Sequence, residues 1–338
     1  MVAAVLRIIS CTLLVIKTLV GMVANGFIVL ITCIDWFRSR KLSPNDQILT
    51  CLGLSRLSWL GFEILHITTV FFSTGKHNCY YLYAVLPNLW MFLNTTTFWF
   101  ATWLSVFYLA KIATFSHPVF LQVKQRFSGL VPWFLLGSVV FSAIMTLVVV
   151  ASLSSGFSMC DSNKSLLNIS DSESTPPDFY IYLAFLGTVP NLIPLMIFLS
   201  SSVLLMTSLW MHTRRMQRNG TGIKDLSTQA HMTAIKALAS FAVLYLSSFL
   251  AVTVQAVMIW KNMGDTWVFV MLSIVTASCP SGHAVILILL NPKLKQLSSV
   301  DYDLKKVLGK ISIASKSIII AVIIQHMSIR DHDSCLWE

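Results

Sequence analysis

The feature that most constrains this chain is a series of long apolar segments separated by short polar ones. A helix needs about 20 largely apolar residues to cross the roughly 30 Å hydrocarbon layer of a bilayer. Only 11% of the 338 residues are charged, against about a quarter in soluble domains, so lipid has to serve as part of the solvent. A water-soluble enzyme and a disordered chain are therefore both excluded. The segments that qualify as spans are residues 8–34, 47–72, 83–110, 131–153, 180–211, 232–259 and 266–290.

These segments predict an all-α membrane protein in which seven transmembrane helices form one domain over residues 1–298. Residues 299–338 follow as a tail that we expect to be cytoplasmic. No small-residue cleavage site follows the first apolar run, so we interpret that run as a signal anchor and first span. The sequence Ser43-Pro44-Asn45-Asp46 offers a cap, a proline at the first helical position and an acid in the first turn, and it predicts where the second helix begins.

Lysines and arginines are distributed unequally between the two sets of loops, with ten on one side and three on the other. The positive-inside rule places the richer set in the cytoplasm, the N-terminus outside and the C-terminus inside. The net charge of +10 then reports loops beside anionic lipid, and no nucleic-acid partner is expected. The richer set is Arg38, Arg40, Lys41, Lys111, Lys124, Arg126, Arg214, Arg215, Arg218 and Lys224; the poorer set is Lys76, Lys164 and Lys261.

The longest outer loop of this topology, residues 154–179, contains two N-glycosylation triplets, at Asn163 and Asn168. Both would meet the glycosylation machinery if the loop is extracellular. The loop also carries four acidic residues. They suit either an acidic vestibule above a ligand site or ordinary solvation of an exposed loop, and the sequence leaves both interpretations open.

Catalytic and metal-binding patterns are not found in the sequence. The seven cysteines form no CxxC pair and no metal-ligand spacing, so neither a metal nor another cofactor is expected. Transporters and intramembrane hydrolases carry acid pairs or acid–histidine sets at midplane, whereas Glu63 is the only acid within a predicted span. This favours a bundle that changes shape over an enzyme. Glu63 and Lys17 fall at similar depth on neighbouring helices, so they are either an ion pair or Lys17 snorkels toward the outer headgroups.

One helical stripe in the third span has the chemistry of a ligand site. Trp90, Asn94 and Thr97 are spaced at i, i+4 and i+7 and so share one helix face. An aromatic ring beside an amide suits an amphipathic small molecule. The alternative is that Trp90 belongs to an interfacial aromatic belt and Asn94 bridges two helices.

Several motifs occur in order over about residues 20–298 and are jointly specific. They are Asn25-Gly-Phe-Ile-Val29, Leu52-Gly-Leu-Ser-Arg56, Trp99-Phe-Ala-Thr-Trp103 with Tyr108, Lys111 and His117-Pro118, Ser208-Leu209 with His212-Thr213, Ala230-His231, Pro280-Ser-Gly-His283 and Asn291-Pro-Lys293. Together they resemble the motifs of the type 2 taste receptors, the bitter taste family of seven-helix G-protein-coupled receptors.

The resemblance implies a rhodopsin-like bundle in the plasma membrane, with a pocket for small bitter compounds under the outer loops. It also implies activation of a gustducin-like heterotrimeric G protein, and an oligomer is possible. The pocket positions that it adds to Trp90 and Asn94 are Ser248, Gln255, Ser273 and Thr276. The packing or activation-relay positions that it implies are Asn25, Arg56, Tyr108, Lys111, His212 and His283. The basic positions that would face the G protein are Lys124, Arg126, Arg214, Arg215 and Arg218.

The chain departs from the family pattern in two places. Asp225-Leu226-Ser227 replaces the usual Asp-Pro-Ser, and the tail continues about forty residues beyond the Lys-Leu-Lys motif. Many other rhodopsin-like receptors join the third helix to the loop over 154–179 by a disulfide, which this family generally lacks. Cys79 lies a little early in the chain for such a bridge to Cys160, and the sequence leaves the question open. The nearest alternative is a pheromone (vomeronasal-type) receptor; a small-molecule transporter is a remote one.

Overall fold

In the computed structural model, the described residues form seven α-helices and no strand. The structure describes residues 2–72, 79–113, 118–166, 177–219, 226–260, 266–291 and 294, and most side chains between 12–65, 88–113, 126–152, 188–214, 232–258 and 268–294. The helices are α1 (Val2–Ser39), α2 (Pro44–Phe72), α3 (Cys79–Ile112), α4 (Pro118–Leu166), α5 (Pro177–Asn219), α6 (Leu226–Trp260) and α7 (Thr266–Leu290). The prediction of an all-helical bundle is confirmed.

Six of these helices are long and apolar enough to cross a bilayer within the described residues, and α3 is the one that is not. The reason is the polar run from Asn94 to Thr97, in which residues 94–96 are buried. On α3 the described side chains begin at residue 88, and the large apolar ones that are exposed lie at the two ends of that stretch, at Leu89 and Ile112. By contrast α4 exposes many along its length, including Trp133 at 69%. Because other helices surround α3, it needs little lipid-compatible surface and tolerates polar groups that face the interior.

The local signal for the start of α2 is confirmed. The helix begins at Pro44, and Ser43 caps it: the Asp46 backbone N–H donates to Ser43 Oγ at 3.2 Å, and that hydroxyl donates to the Asp46 carboxylate at 2.7 Å. The cap satisfies one of the amide groups that a helix start leaves unpaired.

Helical structure extends into the outer loop predicted over residues 154–179. Helix α4 continues to Leu166 and α5 begins at Pro177. The reason is that the polar residues after the apolar run do not stop a helix, since no proline occurs between residues 133 and 175. The backbone of Asn163 therefore belongs to the last turn of α4, while Asn168 lies outside the described residues.

The bundle is organised around α3, which packs against α2, α4 and α5, while α7 packs between α1 and α6. Hydrogen bonds join α3 to its neighbours: Thr102 Oγ1 donates to the Pro194 carbonyl of α5 at 3.0 Å, and Trp103 Nε1 donates to Ser138 Oγ of α4 at 2.8 Å. Such bonds matter in a membrane, because two apolar helix faces gain little by leaving lipid.

Tyr245 of α6 is the centre of the aromatic core. Its ring stacks on Phe198 of α5 at 4.2 Å and is tilted against Phe98 of α3 at 4.8 Å between centroids. Its hydroxyl donates to the Phe98 carbonyl at 3.3 Å. One residue thus fixes the relative positions of three helices, and the predicted functional residues lie just beside it.

Candidate functional site

A cavity of about 20 Å³ lies inside the bundle between α2, α3, α6 and α7. Four of the predicted ligand positions line it, namely Asn94 and Thr97 of α3, Ser248 of α6 and Thr276 of α7. A space of about 10–15 Å³ is enough for one water, whereas sites for drug-sized molecules occupy about 300–1,000 Å³. This cavity therefore has room for a water or another small species and not for a drug-sized molecule. The remaining lining residues are Arg56, Trp59, Phe98, Ala101, Tyr245, Cys279 and Pro280.

A second polar layer joins α6 to α7 beside the cavity. Gln255 Nε2 donates to Ser273 Oγ at 3.0 Å, and Thr276 Oγ1 is 3.5 Å from the Gln255 amide oxygen. The Glu63 carboxyl group of α2 is also hydrogen-bonded to Ser273. Gln255 follows Ser248 on α6, and Ser273 precedes Thr276 on α7. Because these helices run antiparallel, Gln255 and Ser273 lie on the same side of the cavity. Thr276, which lines the cavity, also contacts Gln255 and so connects the two.

Trp90 is separated from the cavity that Asn94 and Thr97 line. Its side chain is half-buried and packs against a small apolar cluster of buried residues from α1, α2 and α7. The residues of the stripe predicted on α3 therefore have two different sets of neighbours. Asn94 and Thr97 face the cavity, and Trp90, one turn earlier, covers the same side of it as Gln255 and Ser273. The cluster consists of Leu14, Trp59, Leu60 and Ala277.

The direct Lys17–Glu63 ion pair considered from the sequence is not formed. The Lys17 ammonium group donates to Ser278 Oγ of α7, and the Glu63 carboxyl group is bonded to Ser273 of the same helix. Both charged groups therefore find partners on α7. The sequence predicted that Lys17 and Glu63 lie at similar depth. It could not predict how α7 is rotated about its axis, and that rotation places a serine hydroxyl beside each of the two charged groups.

Three of the predicted relay residues are buried in the bundle. Asn25 Nδ2 donates to the Gly21 carbonyl at 2.8 Å and to the Pro280 carbonyl of α7 at 3.3 Å, and so joins α1 to α7. His283 stacks face to face on Phe241 of α6, with ring centroids 3.4 Å apart. Arg56, the third, lines the cavity.

The other three relay positions lie nearer the surface. Tyr108 is half-buried, while Lys111 and His212 are exposed. The Lys111 ammonium group lies 5.8 Å from the ring centroid of Phe107. The structure thus places these three nearer the surface than the buried set, and a shared relay role stays a prediction.

Two of the basic residues predicted to face a G protein have described side chains, Arg126 and Arg214, and both are exposed. The Arg214 guanidinium lies over the Trp210 ring at 3.9 Å, a cation–π contact that holds it at the helix surface. The positions that lie outside the described side chains are Lys124, Arg215, Arg218, Asn163, Cys79 and Cys160, and those wholly outside the described residues are Asn168 and the 299–338 tail.

The contribution of α2 to the cavity and to the neighbouring polar layer was not predicted from the sequence as a ligand face. Arg56, Trp59 and Glu63 lie at i, i+3 and i+7 on α2, a spacing that puts them on one face toward α7. This polar and aromatic stripe resembles the one recognised on α3 and could have been found by the same rule. Tyr245 and Cys279 carry no comparable signal, since both belong to ordinary apolar runs.

Seven packed helices with a small polar cavity between α2, α3, α6 and α7 define a seven-helix membrane bundle. Within the part of the chain that the structure describes, no group of three or more histidine, cysteine or acidic residues could hold a metal ion. The class agrees with comparisons of the sequence with known proteins.

The family model described as "Taste receptor protein (TAS2R)" matches residues 1–301. Taste receptor type 2 member 41 of Pan troglodytes is 39% identical over 294 residues, which cover 83% of this chain and 91% of the relative. Member 40 of Gallus gallus is 35% identical over 292 residues, covering 84% and 91%. Member 41 of Mus musculus is 37% identical over 274 residues, covering 81% and 88%. The chain belongs to the type 2 taste receptor family, and the resemblance seen in its motifs is confirmed.

Proposed function

We propose that the chain is a G-protein-coupled bitter taste receptor of the plasma membrane, which binds small bitter compounds on the extracellular side and activates a gustducin-like G protein. The observation that carries the proposal is the convergence of Asn94, Thr97, Ser248 and Thr276 from three helices on one interior cavity, in a chain of the taste receptor family. Membership of a receptor family also favours a protein without catalytic activity of its own.

The agonist site lies on the extracellular side of the cavity. The N-terminus is outside and the C-terminus inside, as the ten-to-three bias of basic loop residues favours. Trp90, Gln255 and Ser273 then form a layer between the cavity and the outer surface. The indole ring of Trp90 offers apolar contact area, and the side-chain amide of Gln255 offers hydrogen bonds that can orient an amphipathic molecule.

Binding of an agonist requires this layer to rearrange. The cavity of about 20 Å³ is far smaller than a bitter compound needs, and Gln255 is already hydrogen-bonded to Ser273 at 3.0 Å. An agonist that replaces this bond with its own polar groups loosens the α6–α7 contact. It can shift the receptor toward its active arrangement only by binding that arrangement more tightly. The exposed arginines at the ends of α4 and α5, Arg126 and Arg214, then contribute to the G-protein contact.

The test is a calcium assay in cells that express the full chain with a promiscuous G protein, screened against a panel of bitter compounds. Trp90→Ala and Asn94→Ala should each raise the half-maximal agonist concentration by about tenfold or more, which equals about 1.4 kcal/mol. Trp133→Ala is the matched control, because it removes an indole that is 69% exposed on α4. We expect its potency to equal that of the wild type at matched surface levels.

Two outcomes would contradict the proposal at different levels. If agonists are found and both Trp90→Ala and Asn94→Ala respond like the control, the receptor function stands and the site is wrong. If no compound of a broad panel elicits a response from a receptor shown to be at the cell surface, the assignment as a bitter receptor is wrong. A pheromone-type receptor is not proposed, since the matching family model is that of taste receptors.

A further inference from the structure

A buried guanidinium group with two unpaired nitrogens lies at the centre of the bundle. Arg56 is the largest fully buried side chain among the described residues, with 1% of its surface exposed. Its Nε and Nη1 atoms are buried and have no hydrogen-bond partner in the part of the chain that the structure describes. A guanidinium group stays protonated in proteins and carries only donors. A buried charge whose hydrogen bonds are unmade is among the most unfavourable groups that a fold can contain.

A second unpaired donor lies on the same helix face. Trp59 follows Arg56 by three residues on α2, its indole Nε1 is buried, and it too has no hydrogen-bond partner among the described residues. Both side chains line the one cavity described above, so that cavity is the space from which an acceptor can reach them. Two orphaned donors of different residue types around one space indicate a ligand that accepts hydrogen bonds.

The charge at this site is not balanced by a carboxylate. No acidic side chain is among the described residues that line the cavity. The nearest acid along α2 is Glu63, two turns or about 10 Å of helix rise away, and its carboxyl group is bonded to Ser273. A neutral water could accept the hydrogen bonds of Arg56 and Trp59, but it would leave the charge uncompensated. A small anion satisfies both requirements.

The size of the cavity limits the anion to a small one. At about 20 Å³ the space exceeds the 10–15 Å³ that a single water needs, and it is far below the roughly 300–1,000 Å³ of sites for drug-sized molecules. We propose that the cavity between α2, α3, α6 and α7 binds a halide ion of chloride size, held by the Arg56 guanidinium and the Trp59 indole N–H.

The position of this halide site gives it a role in signalling. Asn94, Thr97, Ser248 and Thr276 belong to its wall, and Thr276 also contacts Gln255 of the layer in which the proposed agonist site lies. An ion here stabilises the closed packing of α6 and α7 against α2 and α3. This consequence rests on the proposed function, whereas binding of the halide does not.

The experiment measures thermal unfolding of the purified full-length receptor without agonist. The protein is compared in about 0.15 M sodium chloride, bromide and gluconate at equal ionic strength. Gluconate is too large for the cavity. Chloride and bromide should raise the apparent melting temperature by about 3 °C over gluconate, in a saturable manner. A general salt effect would not make chloride and bromide more stabilising than gluconate. Anions that are excluded from the protein surface stabilise the folded state, and a large hydrated anion such as gluconate is the more strongly excluded.

Variants locate the effect in the cavity. Trp59→Phe removes one hydrogen-bond donor and keeps an aromatic ring. The chloride concentration that gives half of the maximal stabilisation should therefore rise about tenfold. Trp133→Phe on the exposed face of α4 is the matched control and should leave this concentration unchanged. Arg56→Gln should abolish the stabilisation by chloride. If Arg56→Gln does not fold, Trp59→Phe still decides.

The proposal is overturned if the wild type melts at the same temperature in chloride and gluconate, which would mean that water fills the cavity. It is equally overturned if Trp59→Phe and the wild type respond identically to chloride, since the ion would then bind elsewhere. Neither result bears on whether the receptor responds to bitter compounds.

Discussion

Gly21 allows α1 and α7 to pack in close contact, and replacing it with alanine is the sharpest test of the helix packing. A Cβ atom at this position would fall directly onto Ser281 Oγ and would lie 2.9 Å from Leu60 Cδ1 and 3.1 Å from Ser281 Cβ. The Ser281 hydroxyl cannot simply turn away, because it donates to the Lys17 carbonyl at 2.9 Å. The added methyl group must therefore separate the helices or break this bond.

The size of the effect follows from these contacts. Forcing one extra carbon into a packed interior costs about 1–3 kcal/mol, and the lost hydrogen bond adds about 1 kcal/mol. Gly21→Ala should therefore lower the free energy of unfolding by about 2–4 kcal/mol, despite the better helix propensity of alanine. At about 2.1 cal/mol/K of unfolding entropy per residue, that corresponds for the 338 residues to a decrease in melting temperature of roughly 3–6 °C.

The assay is thermal unfolding of the full-length receptor in detergent, with surface delivery in cells as a second measurement. Gly26→Ala is the matched control, because it makes the same change in the same helix at a site where a Cβ meets nothing within 4 Å. We expect it to be neutral or slightly stabilising. The double variant Gly21→Ala with Ser281→Ala should recover part of the loss, since the overlapping oxygen is gone.

If Gly21→Ala unfolds at the same temperature as Gly26→Ala, the close contact of α1 with α7 at Gly21 does not limit the stability of the receptor. A loss of stability that Ser281→Ala leaves unrelieved would contradict the assignment of the clash to the serine side chain. In that case Leu60 would be the group that resists.

Two further substitutions test the hydrogen bonds of α3. Trp103→Phe removes the 2.8 Å bond to Ser138 and some apolar area, and it should destabilise the receptor by about 1–2 kcal/mol in thermal unfolding. Tyr245→Phe keeps the ring and loses only hydroxyl contacts of 3.3 Å with Thr102 and the Phe98 carbonyl, so a loss of about 0.6 kcal/mol is expected. If Tyr245→Phe lowers the stability more than Trp103→Phe does, the lengths of these hydrogen bonds do not indicate their contributions to stability.

Much of the architecture could be predicted because membrane helices are specified locally. A run of about 20 apolar residues has to pair all its backbone groups within itself when no water is present, and a helix does so. The number of helices in the described residues and the start of α2 at Pro44 are consequences of this kind. The end of α4 was missed because helix termination in polar sequence depends on weaker preferences.

The candidate site could be predicted only in part. Helical spacing identified Asn94 and Thr97 as sharing a face, and both line the cavity. Spacing could not show that Trp90 packs on a different cluster, because neighbours on one face of a helix can contact different helices when those helices cross at an angle.

The sequence by itself determined that this chain is a helical membrane protein, roughly where its helices lie and to which receptor family it belongs. Only the tertiary structure decided the partners of the charged groups. Lys17 bonds to Ser278, Glu63 bonds to Ser273, and Arg56 shares its cavity with the indole of Trp59. The reason is geometric: which side chains meet depends on the rotation and tilt of whole helices, and packing sets both.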